Sequence, residues 1–250
     1  MLARTRLLSA IRRCRADETR RVQRLAFAFC ALLFAPLASA GVSGSVVLAS
    51  DYRFRGITLS DGLPVVQLDL DWSVPQGWYA GVFASSARVA PGYESDLQWT
   101  GYAGYARRIN IAWSWDLGVD DAGFARDHEY DYPEVHLGLI STPLQWHLHY
   151  SPHYFGSGPA VWYAEVNGVH ELSERWRLLG HVGVLRYQGA LIYRVPRQRY
   201  DVRTGVGARF GTFDVQFVWD GSAGGEFYAF GDATIKTDRP GIVLTLSRQW

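Results

Sequence analysis

Beyond residue 40 the chain has no cysteine, no apolar run long enough to cross a bilayer as a helix, and little helical periodicity. Both cysteines of the 250-residue sequence, Cys14 and Cys30, fall within the first forty residues. The remainder therefore cannot be a disulfide scaffold, and the missing run excludes transmembrane helices. A basic surface is missing too. The first forty residues hold eight arginines and two acids, which leaves 17 basic and 22 acidic side chains over residues 41–250 and a formal net charge of −5. That balance gives no basis for nucleic-acid binding. No G-x-S-x-G elbow occurs, and no motif calls for a cofactor. His170 beside Glu171 has no serine partner, so a hydrolase is only a remote alternative.

What is present begins with a leader. An arginine-rich start, the thirteen-residue apolar run Leu25–Leu37 and the small residues Ala38-Ser39-Ala40 read as a secretory signal peptide over residues 1–40. Cys30 has no lipobox around it. Residues 41–250 are then the exported domain.

That domain is rich in aromatics, at 14% of the sequence, and the chain holds 26 glycines. Apolar and polar residues alternate nearly everywhere, the period of a strand with two different faces. The alternation predicts twelve strands, over 42–55, 65–73, 78–87, 96–106, 111–119, 132–140, 144–151, 161–170, 175–186, 200–210, 213–220 and 241–250. Connections alternate between short turns and long polar loops. Short turn, long loop is the pattern of an all-β, antiparallel up-and-down transmembrane barrel, with turns in the periplasm and loops outside. The last strand ends on Trp250, like the C-terminal assembly signal of outer-membrane barrels. These features predict a bacterial outer-membrane protein inserted by the barrel assembly machinery and surrounded by outer-membrane lipid.

Pairing sharpens the expectation. Around Thr142-Pro143, Leu139 faces Trp146, Leu137 faces Leu148 and Val135 faces Tyr150, while His136 meets His149 and Gly138 meets His147. Around Gly211-Thr212, Val206 faces Phe217, and Arg209 and Arg203 oppose Asp214 and Asp220. One register gives an apolar face and a charge-complementary face, and a slip by one residue would mix them. Aromatics gather at both ends of the apolar face. Trp72, Trp78, Tyr105, Trp113, Trp146, Trp176, Phe213 and Trp250 lie near the turns, and Tyr52, Phe54, Trp99, Tyr132, Tyr150, Trp162 and Trp219 near the loops. Such belts mark the two membrane interfaces.

The stretch Ser50–Gly56, "SDYRFRG", carries the alternation with charges on one face. Read as the end of strand one, it sends Tyr52 and Phe54 to the outer belt and Asp51, Arg53 and Arg55 into the mouth of the lumen. Ser50–Ser73, "SDYRFRGITLSDGLPVVQLDLDWS", resembles the opening of the TorF-family putative porins. In these an S-D-Y-x-F-R-G-I segment is followed by S-D-G-x-P and a Q-x-x-x-D strand. The resemblance implies an outer-membrane channel-like protein and no particular substrate.

The expected function is passive passage of small polar solutes, with a closed structural or adhesive barrel as the alternative. Asp51, Arg53, Arg55 and Asp69 are the expected mouth residues. Arg203, Asp220, Arg209, Asp214, His136, His147 and His149 are the expected lumen wall, narrowed by Tyr79, Phe83, Tyr102 and Tyr163. A tie holding down the first loop is an equally natural role for Asp51, Arg53 and Arg55. His147 and His149 at i, i+2 with His136 across the strand stand at spacings a metal could use, with Glu134 and His153 nearby. Nothing in the sequence fixes a fourth ligand, and the cluster reads as polar lining without a metal.

Overall fold

Period-two alternation is satisfied by a sheet that closes on itself. The computed structural model describes residues 41–88, 94–156, 158–188, 197–224, 227–230, 233–235 and 240–250. The expected leader over 1–40 lies outside the described residues. Twelve strands form one closed antiparallel barrel: β1 (Val42–Ala49), β2 (Val65–Ser73), β3 (Trp78–Ala87), β4 (Asp96–Arg108), β5 (Trp113–Phe124), β6 (Tyr132–Ser141), β7 (Leu144–Ser151), β8 (Val161–Glu171), β9 (Trp176–Tyr187), β10 (Gln198–Phe210), β11 (Phe213–Ala223) and β12 (Gly241–Gln249). Each strand pairs with its sequence neighbours, and β1 closes on β12 with Leu48 opposite Leu246.

The register matches the pairing read from the sequence. Leu137 lies opposite Leu148 and His136 opposite His149, while Val206 lies opposite Phe217 and Arg203 opposite Asp220. The side-chain polarity is inside-out relative to a soluble domain. Leu137, Leu148, Val182, Phe217 and Leu244 lie exposed on the outer wall, and the residues between them turn a polar face inward. A continuous exposed apolar band demands a nonaqueous surrounding. At the short-turn end Trp113 and Trp146 stack with centroids 5.3 Å apart. At the long-loop end Tyr150 and Trp162 are 4.7 Å apart.

Several boundaries differ from the expectation: β5 runs on to Phe124 and β11 to Ala223, past the expected ends at 119 and 220, and two further differences have a local cause. The turn between β4 and β5 extends to Ala112, because Asn110 Oδ1 accepts hydrogen bonds from the Ala112 and Trp113 amides at 2.8 and 3.0 Å, an Asx turn that leaves Ile111 in the open. More consequentially, β1 stops at Ala49. Ser50 makes its last ladder contact with Leu244, and the chain then turns into the lumen. Tyr52 and Phe54 therefore do not join the outer belt. Tyr132 does not either: it shares the inward parity of Glu134 and His136 and is buried.

Candidate functional site: the lumen and its plug

At the long-loop end the lumen is filled from within. Residues 50–64 fold back as a small hairpin in which Arg53–Phe54 pairs with Ile57–Thr58. Asp51 ties its base: its carboxylate accepts from the Thr58 and Ser60 hydroxyls at 2.6 and 2.8 Å and from Arg53 Nε, while Ser60 Oγ accepts from the Tyr52 amide at 2.9 Å. The tip, Arg55-Gly56, has positive φ at both residues, 48° and 76°. A Cβ on Gly56 would lie 2.7 Å from Ser222 Cβ and 2.8 Å from Asp201 Cβ. Glycine is thus required twice over, for the turn and for its approach to β10 and β11.

Apolar residues complete this plug. Ile57 and Leu59 are buried, as are Tyr154 and Phe155 of the loop before β8. Tyr132 packs on both of those rings, at 5.2 and 5.1 Å. Arg55 reaches down through this cluster, its guanidinium 4.3 Å from the Tyr163 ring centroid, and forms a bidentate pair with Glu134 at 2.5 and 2.8 Å. Both side chains are less than a tenth exposed. Planar two-point pairing of this kind is what makes a buried arginine tolerable. Burial opposes the Arg55 charge, but Glu134 outweighs it and holds the group protonated. Burial likewise pushes the Tyr52 and Tyr154 phenols upward, so Tyr52 is a neutral donor to Gln98 at 3.0 Å.

Beneath the plug lies a belt of imidazoles and carboxylates. His149 Nδ1 is 2.8 Å from Glu134, and Glu165 lies 3.6–3.9 Å from His147, His149 and His181. His181 Nε2 lies 2.6 Å from Asp201, and His136 lies between Asp120 at 2.7 Å and Asp116 at 3.4 Å. A cavity of about 310 Å³ opens among Arg55, Asp120, Glu134, His136, His147, His149 and Glu165. Toward the short turns the wall continues with Tyr102 between Asp69 and Asp71, at 2.8 and 2.5 Å, and Arg177 on Asp214 at 2.7 Å.

The expected site residues are only partly brought together. Arg53 and Arg55 occupy the mouth as members of the plug rather than of the wall. Asp69 sits in the middle of β2, opposite Ser45 and Phe83, and belongs to the Tyr102 group instead of the mouth. Arg203 donates to Asp220 at 3.1 Å. Arg209 faces Asp214 in the ladder, yet its guanidinium turns to Glu171 at 2.9 Å, because the more deeply buried Arg177 already holds Asp214. His136, His147 and His149 do line one wall. His153 is exposed in its loop and stands apart from them. Asp120 and His181 were not anticipated. Asp120 lies in the part of β5 expected to be loop, although Leu117-Gly118-Val119-Asp120 continues the alternation. His181 was identifiable from its cross-strand neighbours Asn167 and Arg203.

Fold and lumen define a class: a closed twelve-stranded barrel with an apolar exterior, a charged interior and one end filled by an infolded loop. Within that class, a family model described as "Bacterial protein of unknown function (Gcw_chp)" matches residues 35–248, and the chain belongs to this family. That description does not carry the TorF name suggested by Ser50–Ser73. No curated protein sequence matches the chain. Solved structures share the fold. A KdgM porin is 9% identical with a TM-score of 0.50, over 83% of this chain and 98% of that one. A NanC porin is 10% identical with a TM-score of 0.51, over 83% and 98%. A further KdgM structure, in complex with disordered oligogalacturonate, is 8% identical with a TM-score of 0.50, over 84% and 98%.

Proposed function

We propose that this protein is a bacterial outer-membrane channel for passive diffusion of small polar solutes, its outer mouth narrowed by residues 50–64. In this reading residues 1–40 are a signal peptide, residues 41–250 are inserted by the barrel assembly machinery, the short turns face the periplasm and the long loops face outward. The observation that carries it is the inverted polarity: exposed leucine, valine and tryptophan outside, and hydrogen-bonding groups turned inward at several heights, among them those of Asp51, His149 and Asp214. Such a wall conducts by pore radius and fixed charge, with no covalent step. The KdgM and NanC folds and the TorF-like opening support the same reading. Charges of both signs line the lumen, so a carrier of acidic saccharides alone does not follow from it. A closed structural barrel is the second reading, favoured by the buried Ile57, Leu59, Tyr154 and Phe155 at the mouth.

Planar-bilayer recording separates the two. The channel reading expects small, resolvable single-channel steps from the parent. Replacing residues 52–59 by a short Gly/Ser linker should raise the conductance severalfold. Absence of conductance in both proteins, with normal heat-modifiable folding, overturns the channel and favours the closed barrel.

A further inference from the structure

We infer that the middle of the lumen is a binding site for a divalent transition-metal ion, with Asp120, His136 and His149 as its protein ligands. These residues come from three consecutive strands, β5, β6 and β7. His136 and His149 are direct cross-strand partners, and Asp120 is one diagonal step from His136, whose own partner on β5 is Gly118. One donor atom from each lies within 4.8 Å of the other two. Metal–ligand bonds of about 2.0–2.2 Å place two donors up to roughly 4 Å apart across one ion, so a small rotation of the imidazoles closes the site.

Three further features point to a ligand. First, the wall makes room for the rings. A Cβ at Gly118 would lie 2.5 Å from His136 Cε1, and one at Gly138 would lie 2.9 Å from His147 Cδ2. Second, neither nitrogen of His149 makes a well-directed hydrogen bond. Its Nδ1 approaches Glu134 at 2.8 Å, but Glu134 is already committed to both arms of Arg55. Third, the belt is rich in negative charge. Asp116, Asp120, Glu134, Glu165 and Asp201 surround the imidazoles, and Arg55 supplies the guanidinium beneath the plug.

The arrangement also supplies an outer shell. With the ion on the side of Asp120, His136 coordinates through Nδ1, which now lies 2.7 Å from that carboxylate. Its Nε2 then stays with Asp116 at 3.4 Å and the Tyr79 hydroxyl at 3.1 Å. A carboxylate on the far nitrogen of a ligating histidine fixes the ring and raises its basicity. Two nitrogens and one carboxylate oxygen favour Zn²⁺, Cu²⁺, Ni²⁺ or Co²⁺ over Mg²⁺ and Ca²⁺. The adjoining cavity of about 310 Å³ leaves room for water to complete the coordination. This inference is independent of whether the pore conducts.

The test is Co²⁺ titration of the refolded barrel in detergent, produced without a polyhistidine tag and stripped with EDTA. One Co²⁺ per chain should bind with the visible spectrum of a four- or five-coordinate site, and stoichiometric Zn²⁺ should displace it. His136→Gln and His149→Gln should each weaken binding at least tenfold. His170→Gln, on the outer face, should leave it unchanged. Asp120→Asn keeps the side-chain shape and carries the test should the histidine variants fail to fold: it should weaken Co²⁺ binding too. Undiminished binding in Asp120→Asn, or a hydrated octahedral spectrum in the parent, overturns the assignment.

Discussion

The wall of the barrel and the plug inside it are written in the same alternating code and obey it to opposite ends. In β6, Val135, Leu137 and Leu139 point outward and are left exposed, while His136 points into the lumen. In residues 50–58 the spacing is the same, yet Tyr52 and Ile57 are buried inside the barrel with Asp51. Alternation specifies two faces. It does not specify which face meets oil, and it does not say whether the strand belongs to the sheet. What diverts the chain is local: Ser50 ends the ladder, Asp51 collects two hydroxyls and Arg53, and Gly56 permits a tip that presses on β10 and β11.

The comparison breaks most severely where the wall is challenged. Leu137→Arg or Val206→Arg puts a cation at mid-height on the outer face and should cost about 2–4 kcal/mol at the bilayer midplane. Gln145→Arg or Gln216→Arg, on the lumen face, should cost far less. Urea unfolding in lipid vesicles, followed by tryptophan fluorescence, measures both. Equal losses on the two faces would overturn the facing assigned to the whole wall.

This same contrast explains what was legible in the sequence. All twelve strands and the pairing of His136 with His149 and Arg203 with Asp220 could be read from it, because a one-residue slip would place charge on the apolar face. The infolding of the plug could not, since its alternation is indistinguishable from that of a strand, although a tie on the first loop was one of the two roles open to Asp51, Arg53 and Arg55. The resemblance read in Ser50–Ser73 rests in part on Asp51, Arg55, Gly56 and Ser60, and these residues build the plug. Side-chain partners were less legible still. Register places Arg209 against Asp214, but a long guanidinium reaches several neighbours, and burial decides among them.

Gly56→Val challenges the plug alone. A β-branched residue held at positive φ costs about 1–2 kcal/mol, and its Cβ would also meet the side chains of Ser222 and Asp201. The wall can avoid this strain by releasing the hairpin. Global unfolding should therefore stay close to that of the parent, while residues 52–59 become accessible to protease and the conductance rises. A large loss of global stability with the plug still protected would show that plug and wall fold as one unit.

The smallest effect concerns the competition for Asp214. Arg209 and Asp214 are ladder neighbours, but Arg209 is half exposed and bonds Glu171, which is equally exposed. Such a surface pair contributes about 0–1 kcal/mol. Arg177 and Asp214 are mostly buried and 2.7 Å apart. A double-mutant cycle of Arg209→Gln with Asp214→Asn should therefore return a coupling below about 0.5 kcal/mol, the level expected of independent sites, whereas Arg177→Gln with Asp214→Asn should return about 0.5–3 kcal/mol. Both cycles use the same asparagine variant, so any general effect of removing that carboxylate cancels. A coupling for Arg209 as large as that for Arg177 would mean that directly opposed charges, rather than the better buried pair, hold this part of the lumen, and that cross-strand register alone suffices to assign its ion pairs.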